Sequence, residues 1–253
     1  MLPLPPWPCV ALASAFFYML LGRISDQAVN EVLVRRCGVR AVKWFDLRST
    51  VHSMLMGPAA VAAVLYEDMS SDMYWVAQLF ACLPASSGLS WILPPVEVGF
   101  ALAELWIMVP KRDAPYILHG VLVVTSLTLL RHFNVVHFTS RIMVIHVSTI
   151  FLNLRGLDLG HSANTCVDIA FVASFIILRF AVLLVWWVQA LVYVDPAGGR
   201  GCLNEPVMLL IRVVGVLLHG LNFYWGVLIL RKLYTRLLSG NIKRAKAGEM
   251  HGD

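Results

Sequence analysis

Between Arg141 and Arg155 the sequence RIMVIHVSTIFLNLR is apolar, yet His146, Thr149 and Asn153 recur in it at i, i+3 and i+7, one face of a helix. A polar stripe in hydrocarbon is costly unless it faces partners or a wet cavity, so it marks a protein interior. Comparable seams run through five other apolar segments: Ser49 with His52, Glu97 with Glu104, His119 alone, Asp168 with Arg179, Trp186 and Gln189, and Arg212 with His219 and Asn222. Six seams on six helices most economically surround one polar space. Histidine titrates near neutrality, which makes His119 and His146 the candidates for a general base or nucleophile. His52, Glu104, Thr149, Asn153, Arg179, Arg212, His219 and Asn222 are the candidate lining of a lipid-binding cavity. Taken alone, Ser49, Thr149 and Asn222 are better explained as hydrogen bonds between helices, each of about 0.6 to 2 kcal/mol. A charge at mid-depth costs at least about 2.5 to 3.5 kcal/mol and needs a partner, so an ion pair from Glu104 to Arg179 or Arg212 is the structural alternative there. No two of His52, His119, His146 and His219 are spaced i, i+3 or i+4 within one helix. A preformed metal motif is therefore missing, and no metal or other cofactor is expected.

The elements that must carry these residues follow from apolar runs bounded by charge, Gly or Pro: about 8–22, 46–66, 88–109, 115–131, 138–157, 167–194 and 206–233. Asp113 is placed to cap the fourth, with Pro115 in its first turn. Residues 74–87 are apolar but broken by Pro84, and read as interfacial, re-entrant or part of the third span. With seven spans, fifteen of the twenty Lys and Arg fall on one side and three on the other, Arg131, Arg141 and Arg200; Arg179 and Arg212 lie within spans. The positive-inside rule then puts the N-terminus outside and the C-terminus in the cytosol. The basic, leucine-containing stretch 230–247 reads as lying along the cytosolic headgroups or as a solvated end.

Composition sets the class. In 253 residues 59% are hydrophobic and 14% charged, with a mean hydropathy of +0.74, far from the roughly one-quarter charged residues of soluble domains. The expectation is an all-α integral membrane protein without a second, soluble domain. The net charge of +5 sits in residues flanking apolar runs, which points to topology and lipid headgroups and away from nucleic acid. Five cysteines, Cys9, Cys37, Cys82, Cys166 and Cys202, have no CxxC spacing and imply neither a disulfide framework nor a zinc site, although Cys82 and Cys202 could meet. The first apolar run lacks the basic start of a cleaved leader and reads as a retained span. Sequons and retention signals are absent, and so is any internal repeat.

WFDLRSTVHS (44–53), GFALAE (99–104), RDAPYILHG (112–120), HVSTIFLNLR (146–155), the ILRF around Arg179 and LNFYW (221–225), taken in order, resemble the TLC-domain family, and within it the small TLC domain-containing proteins. The resemblance covers about 44–240 and implies three parts: the first helix and a basic cytosolic loop in 1–43, the TLC domain in 44–240, and a cytosolic tail in 241–253. It also implies that helices two to seven form a six-helix barrel around a lipid-accessible cavity. In the ceramide synthases of this family two adjacent histidines serve acyl transfer from acyl-CoA. Here His119 matches the first and Gly120 replaces the second. His146 matches the histidine of a following acidic run whose carboxylates are Val147 and Ile150 in this chain, while in the small TLC proteins a glutamate usually stands at 146. A lone histidine without carboxylate orienters loses much of the dyad's help, which argues against ceramide synthesis by that route.

The leading expectation is a multipass protein that binds or handles an acyl lipid and influences membrane lipid composition, in the endoplasmic reticulum by family association, with membrane lipids or acyl chains as partners and a homo-oligomer left open. The alternative is an acyl-CoA-dependent acyltransferase using His119. A seven-helix receptor is disfavoured by the missing Asp-Arg-Tyr-like and Asn-Pro-x-x-Tyr runs. A proton-coupled carrier would use Glu104 and the histidines.

Overall fold

The computed structural model describes residues 6–24, 26–41, 45–70, 88–133, 135–193 and 205–249. Ten α-helices and one π-helical segment are found among them: α1 Trp7–Leu21, α2 Asp26–Cys37, α3 Leu47–Ser70, α4 Gly88–Lys111, α5 Ala114–His132, α6 Val136–Met143, α7 His146–Leu154, α8 His161–Phe175, the π segment Ile176–Val182, α9 Leu183–Tyr193 and α10 Glu205–Glu249. Five stretches are long and apolar enough to cross a membrane: Leu47–Glu67, Gly88–Lys111, Ala114–His132, His161–Val188 and Glu205–Arg231. Two shorter apolar stretches, Trp7–Leu21 and Phe138–Leu154, coincide with the remaining candidate segments. The expectations for residues 74–87 and for Cys82 with Cys202 lie outside the described residues, as does the side chain of Gln189.

Chain chemistry marks some helix starts but not every break. Asp113 occupies the N-cap of α5 with a proline in the first turn, although its side chain makes no capping hydrogen bond. Pro58 in α3 and Pro94, Pro95 and Pro110 in α4 sit inside helices, where each removes a backbone donor that the surrounding protein must tolerate. The expected fifth helix, 138–157, is interrupted at Val144–Ile145, so that His146 is the first residue of α7. No Gly or Pro marks this break. α2, a largely exposed helix in the basic segment, is not among the expected helices. The two residues Arg40–Ala41 (β1) after it pair antiparallel with Leu157–Asp158 (β2), fastening that segment to the α7–α8 link.

Packing brings the elements around a common centre: α3 touches α4, α6 and α7; α4 touches α5; α5 touches α10; α7 touches α8; and α9 touches α10. α1 lies chiefly against α4. The approach there is close because Gly99 has no side chain: a Cβ would fall 2.4 Å from the Ala11 carbonyl oxygen and 2.5 Å from Ser14 Cβ. Ser14 Oγ donates to the Val96 carbonyl beside it, 3.0 Å away. Ala11, Met56, Ala60, Ala63, Leu93 and Val98 join α1, α3 and α4 in one apolar cluster, and Leu130, Val135, Phe138, Trp187, Met208 and Ile211 form another where α5, α6, α9 and α10 meet.

One buried cluster corrects the charge reading. Arg141, counted above as a loop charge, is 1% exposed and paired with the fully buried Glu67 at 3.2 Å. Ser90 and Ser140 also donate to Glu67, so α3, α4 and α6 are tied by one carboxylate. Arg141 lies near the start of the expected 138–157 run and Glu67 just past the end of the expected 46–66 run, where charge ordinarily sits at the membrane boundary.

Candidate functional site

A cavity of about 580 Å³ opens between the helices, within the usual size of ligand pockets. Its lining has two characters. Ser49, His52, Glu97, Glu104, His119, His146, Thr149, Arg155, Asp168, Arg179, His219 and Asn222 supply polar groups, whereas Leu127, Leu130, Phe138, Ile142, Trp187, Ile211 and Val214 supply an apolar wall. Most of the expected seams therefore converge.

Glu97 organises the centre of the polar part. Its Oε2 lies 2.8 Å from His52 Nε2 and 2.9 Å from His146 Nε2. A carboxylate oxygen accepts, so both imidazoles present Nε2–H to it. His52 Nδ1 is then free to accept from the Tyr18 hydroxyl, 2.9 Å away. Phe100 stacks on the His52 ring at 3.8 Å between centroids, and the His146 ring meets it edge-on at 4.9 Å. Helices α1, α3, α4 and α7 are joined through four side chains. His146 Nδ1 is buried and has no hydrogen-bond partner among the described residues; as a bare lone pair it costs less than an orphaned N–H would. The carboxylate orienter that the sequence reading found missing beside His146 is supplied by Glu97, from a different helix.

The same trio is where a metal would be sought. One ligand atom from each of His52, Glu97 and His146 lies within 4.8 Å of the others, an assembly across three helices that a search for spacing within one helix misses. Ligands about 2.0 to 2.1 Å from a tetrahedral ion stand roughly 3.3 Å apart. The observed 2.8 and 2.9 Å are hydrogen-bond distances, and the Tyr18 contact completes the proton arrangement without an ion.

Arg179 holds a second polar centre. Its Nε donates to Ser148 Oγ at 3.1 Å, Nη1 to Asn222 Oδ1 at 2.9 Å and Nη2 to Thr149 Oγ1 at 3.1 Å, with the Phe175 ring 5.2 Å from the guanidinium carbon. The suggested ion pairs of Glu104 with Arg179 or Arg212 do not form: Arg179 donates to neutral oxygens, and Glu104 makes no ion pair among the described residues. Arg155 instead pairs with Asp168 and lies 4.8 Å over the Phe171 ring. The π segment explains which residues of this stretch face inward. Its wider i→i+5 turn keeps Phe175, Arg179, Leu183 and Trp187 on the chamber side, so Trp187 replaces the expected Trp186 there. Gly215 accommodates that indole, since a Cβ would fall 2.0 Å from it.

Two expected lining residues lie elsewhere. Asn153 donates to Ser49 Oγ at 3.1 Å and Ser53 Oγ at 3.0 Å, clamping α7 to α3 behind the chamber wall. The His146 stripe thus splits three ways, to Glu97, to Arg179 and to α3. Arg212 is absent from the described lining, where its neighbours Ile211 and Val214 appear; it lies two turns from the start of α10, within reach of an interface for a long side chain. His119 lines the chamber with its ring 5.4 Å from that of Trp225, edge-on, and makes no hydrogen bond among the described residues. His219 lies 5.8 Å from Trp187 by ring centroids. Glu97 and Tyr18 are the functional residues missed in the candidate set. Glu97 shares a face with Glu104, a signal that was present. Tyr18 carried none, because a tyrosine at the end of a first span reads as an interface residue.

The TLC-domain model of the TRAM, LAG1 and CLN8 group matches residues 46–231. The chain belongs to the TLC-domain family. No curated protein matches the chain. The matched TLC segment contains every chamber-lining residue from Ser49 to Ile229, while Tyr18, which bonds to His52, lies ahead of it. The protein is a multipass membrane protein of a family concerned with lipids.

Proposed function

We propose that this TLC-domain protein binds an acyl lipid in its chamber and thereby influences membrane lipid composition, in the endoplasmic reticulum. In this reading the chain spans the membrane seven times, N-terminus lumenal and C-terminus cytosolic. Helices α3 to α10 form a six-helix barrel, with α6–α7 and α8–π–α9 each counting as one span and α1 outside. The supporting observation is the two-part lining: a polar group of His, Glu and Arg side chains adjoining an apolar wall, in a space of about 580 Å³. An amphiphile satisfies both parts at once, whereas water would leave the apolar wall wetted. Mass spectrometry of lipid retained by the purified full chain tests this. One lipid class should be enriched over bulk membrane, and Val214→Trp, which fills the apolar part, should deplete it. Retained lipid that merely mirrors the membrane, unchanged in the Trp variant, would sink the proposal.

A second reading is favoured by His119, whose imidazole lines the chamber and makes no hydrogen bond among the described residues. As an acyltransferase the protein would take acyl-CoA as substrate, with His119 either taking the proton of an amine or alcohol acceptor as it attacks the thioester carbonyl, or itself attacking that carbonyl to give an acyl-imidazole that the acceptor then cleaves; in both cases CoA leaves as the thiol. Purified chain would then form lipid product from acyl-CoA, and His119→Ala would abolish it without unfolding. Retained lipid without turnover favours binding.

A further inference from the structure

Arg179 differs from the other buried or half-buried arginines with described partners. Arg48, Arg141 and Arg155 each pair with a carboxylate, Asp46, Glu67 and Asp168 respectively. Arg179 meets only the neutral oxygens of Ser148, Thr149 and Asn222. Those three bonds use one hydrogen on each nitrogen. A guanidinium has five, so one N–H remains on each terminal nitrogen, and the residue lines the chamber. A guanidinium held by three neighbours above the Phe175 ring, with a donor left over on each terminal nitrogen, can donate to the oxygens of a carboxylate or phosphate. Glu97, the carboxylate at the centre of the chamber, is already shared by His52 and His146. A charge held at this depth calls for a counter-ion, and the described protein supplies none in contact.

We propose that the chamber's ligand is an acidic lipid, its head oxyanion seated on Arg179 and its tail along the apolar wall. This rests on the lipid-binding reading above and narrows it from acyl lipids in general to those with a free carboxylate or phosphate. The wall has the length for a tail: Asn222 beside Arg179 and Ile211 at the far end stand about 16 Å apart along α10 at its rise per residue, with Leu183, Trp187, Val214 and Leu218 between. The π segment belongs to the same device. By widening the turn it places Arg179, Leu183 and Trp187 in one file, head-binding group first and tail-binding groups after.

The test uses full-length protein in neutral detergent at neutral pH, with radiolabelled palmitate, palmitoyl lysophosphatidate and hexadecanol in equilibrium binding. Hexadecanol has palmitate's chain with a neutral head. In wild type, at least one of the two acids should bind about tenfold or more tighter than hexadecanol, the loss expected when a charge-assisted pair becomes a neutral one. Preference for palmitate identifies a carboxylate, and preference for lysophosphatidate a phosphate. Arg179→Gln keeps a polar amide but removes the charge, and should bring acid and alcohol within about twofold of each other by selective loss of acid binding. A purely structural arginine would instead weaken all three probes alike. Should Arg179→Gln fail to fold, the wild-type contrast still decides, and Arg179→Lys should keep the acid preference at lower affinity. Equal binding of acids and alcohol by wild type overturns this inference and leaves the lipid-binding reading standing; failure of all three probes, hexadecanol included, overturns both.

Discussion

Replacing Glu97 with alanine removes the acceptor of two imidazole N–H groups at once, 2.8 and 2.9 Å from one oxygen. The side chains of His52 and His146 are 2% and 12% exposed, so solvent rescues the first donor least. A buried donor left unsatisfied costs about 1 to 3 kcal/mol, which gives roughly 2 to 6 kcal/mol for the pair. Glu97→Gln places an amide oxygen where the carboxylate was and keeps both bonds, at neutral strength. Charge-assisted bonds are about twice as strong as neutral ones, so that variant should lose less, roughly 1 to 3 kcal/mol. The assay is reversible denaturant unfolding in a fixed detergent, with His52→Ala added to complete a double-mutant cycle. The cycle should return a coupling of about 0.5 to 3 kcal/mol, because with His52 gone the carboxylate has one donor fewer to satisfy. Glu97→Ala within about 0.5 kcal/mol of wild type, or strictly additive losses, would refute the reasoning that these groups form one buried unit.

Tyr18→Phe removes the hydroxyl at His52 Nδ1 and should cost about 0.5 to 1.5 kcal/mol in the same unfolding assay. Asn153→Ala breaks two interhelical contacts to Ser49 and Ser53 and should destabilise by about 0.6 to 1.7 kcal/mol, with retained lipid unchanged by mass spectrometry because the residue lies behind the wall. Gly215→Ala puts a methyl into the Trp187 ring and should cost about 1 to 3 kcal/mol, recovered in part by Trp187→Leu in a thermal-stability comparison.

The interior was legible in the sequence for an energetic reason: ionisable and amide groups inside apolar runs are expensive, so His52, Glu104, His119, His146, Thr149, Arg179, His219 and Asn222 mark the chamber by their cost. Helical period alone also put Glu97 beside Glu104. It could not tell which partner each polar group finds, since that depends on packing between helices. Asn153 shares a stripe with His146 yet bonds to α3, because the helix break at Val144–Ile145 and the position of α3 set its surroundings. The substitution of Trp187 for Trp186 arises from the i→i+5 turn, a choice of backbone hydrogen bond that leaves no residue signature. Arg141 counts as a boundary charge in the sequence because charge near the end of an apolar run is ordinarily wet, and its contact with Glu67 helps to make burial tolerable.

The reach of Tyr18 has a practical bearing on how the protein can be divided. A polypeptide trimmed to the family-matched residues 46–231 would begin after α1, leaving the His52 ring one hydroxyl short and the groove at Gly99, shaped to admit the Ala11 backbone, open to detergent. The family-matched boundary therefore cuts through contacts that α1 makes with α3 and α4, and the leading helix is expected to melt together with them.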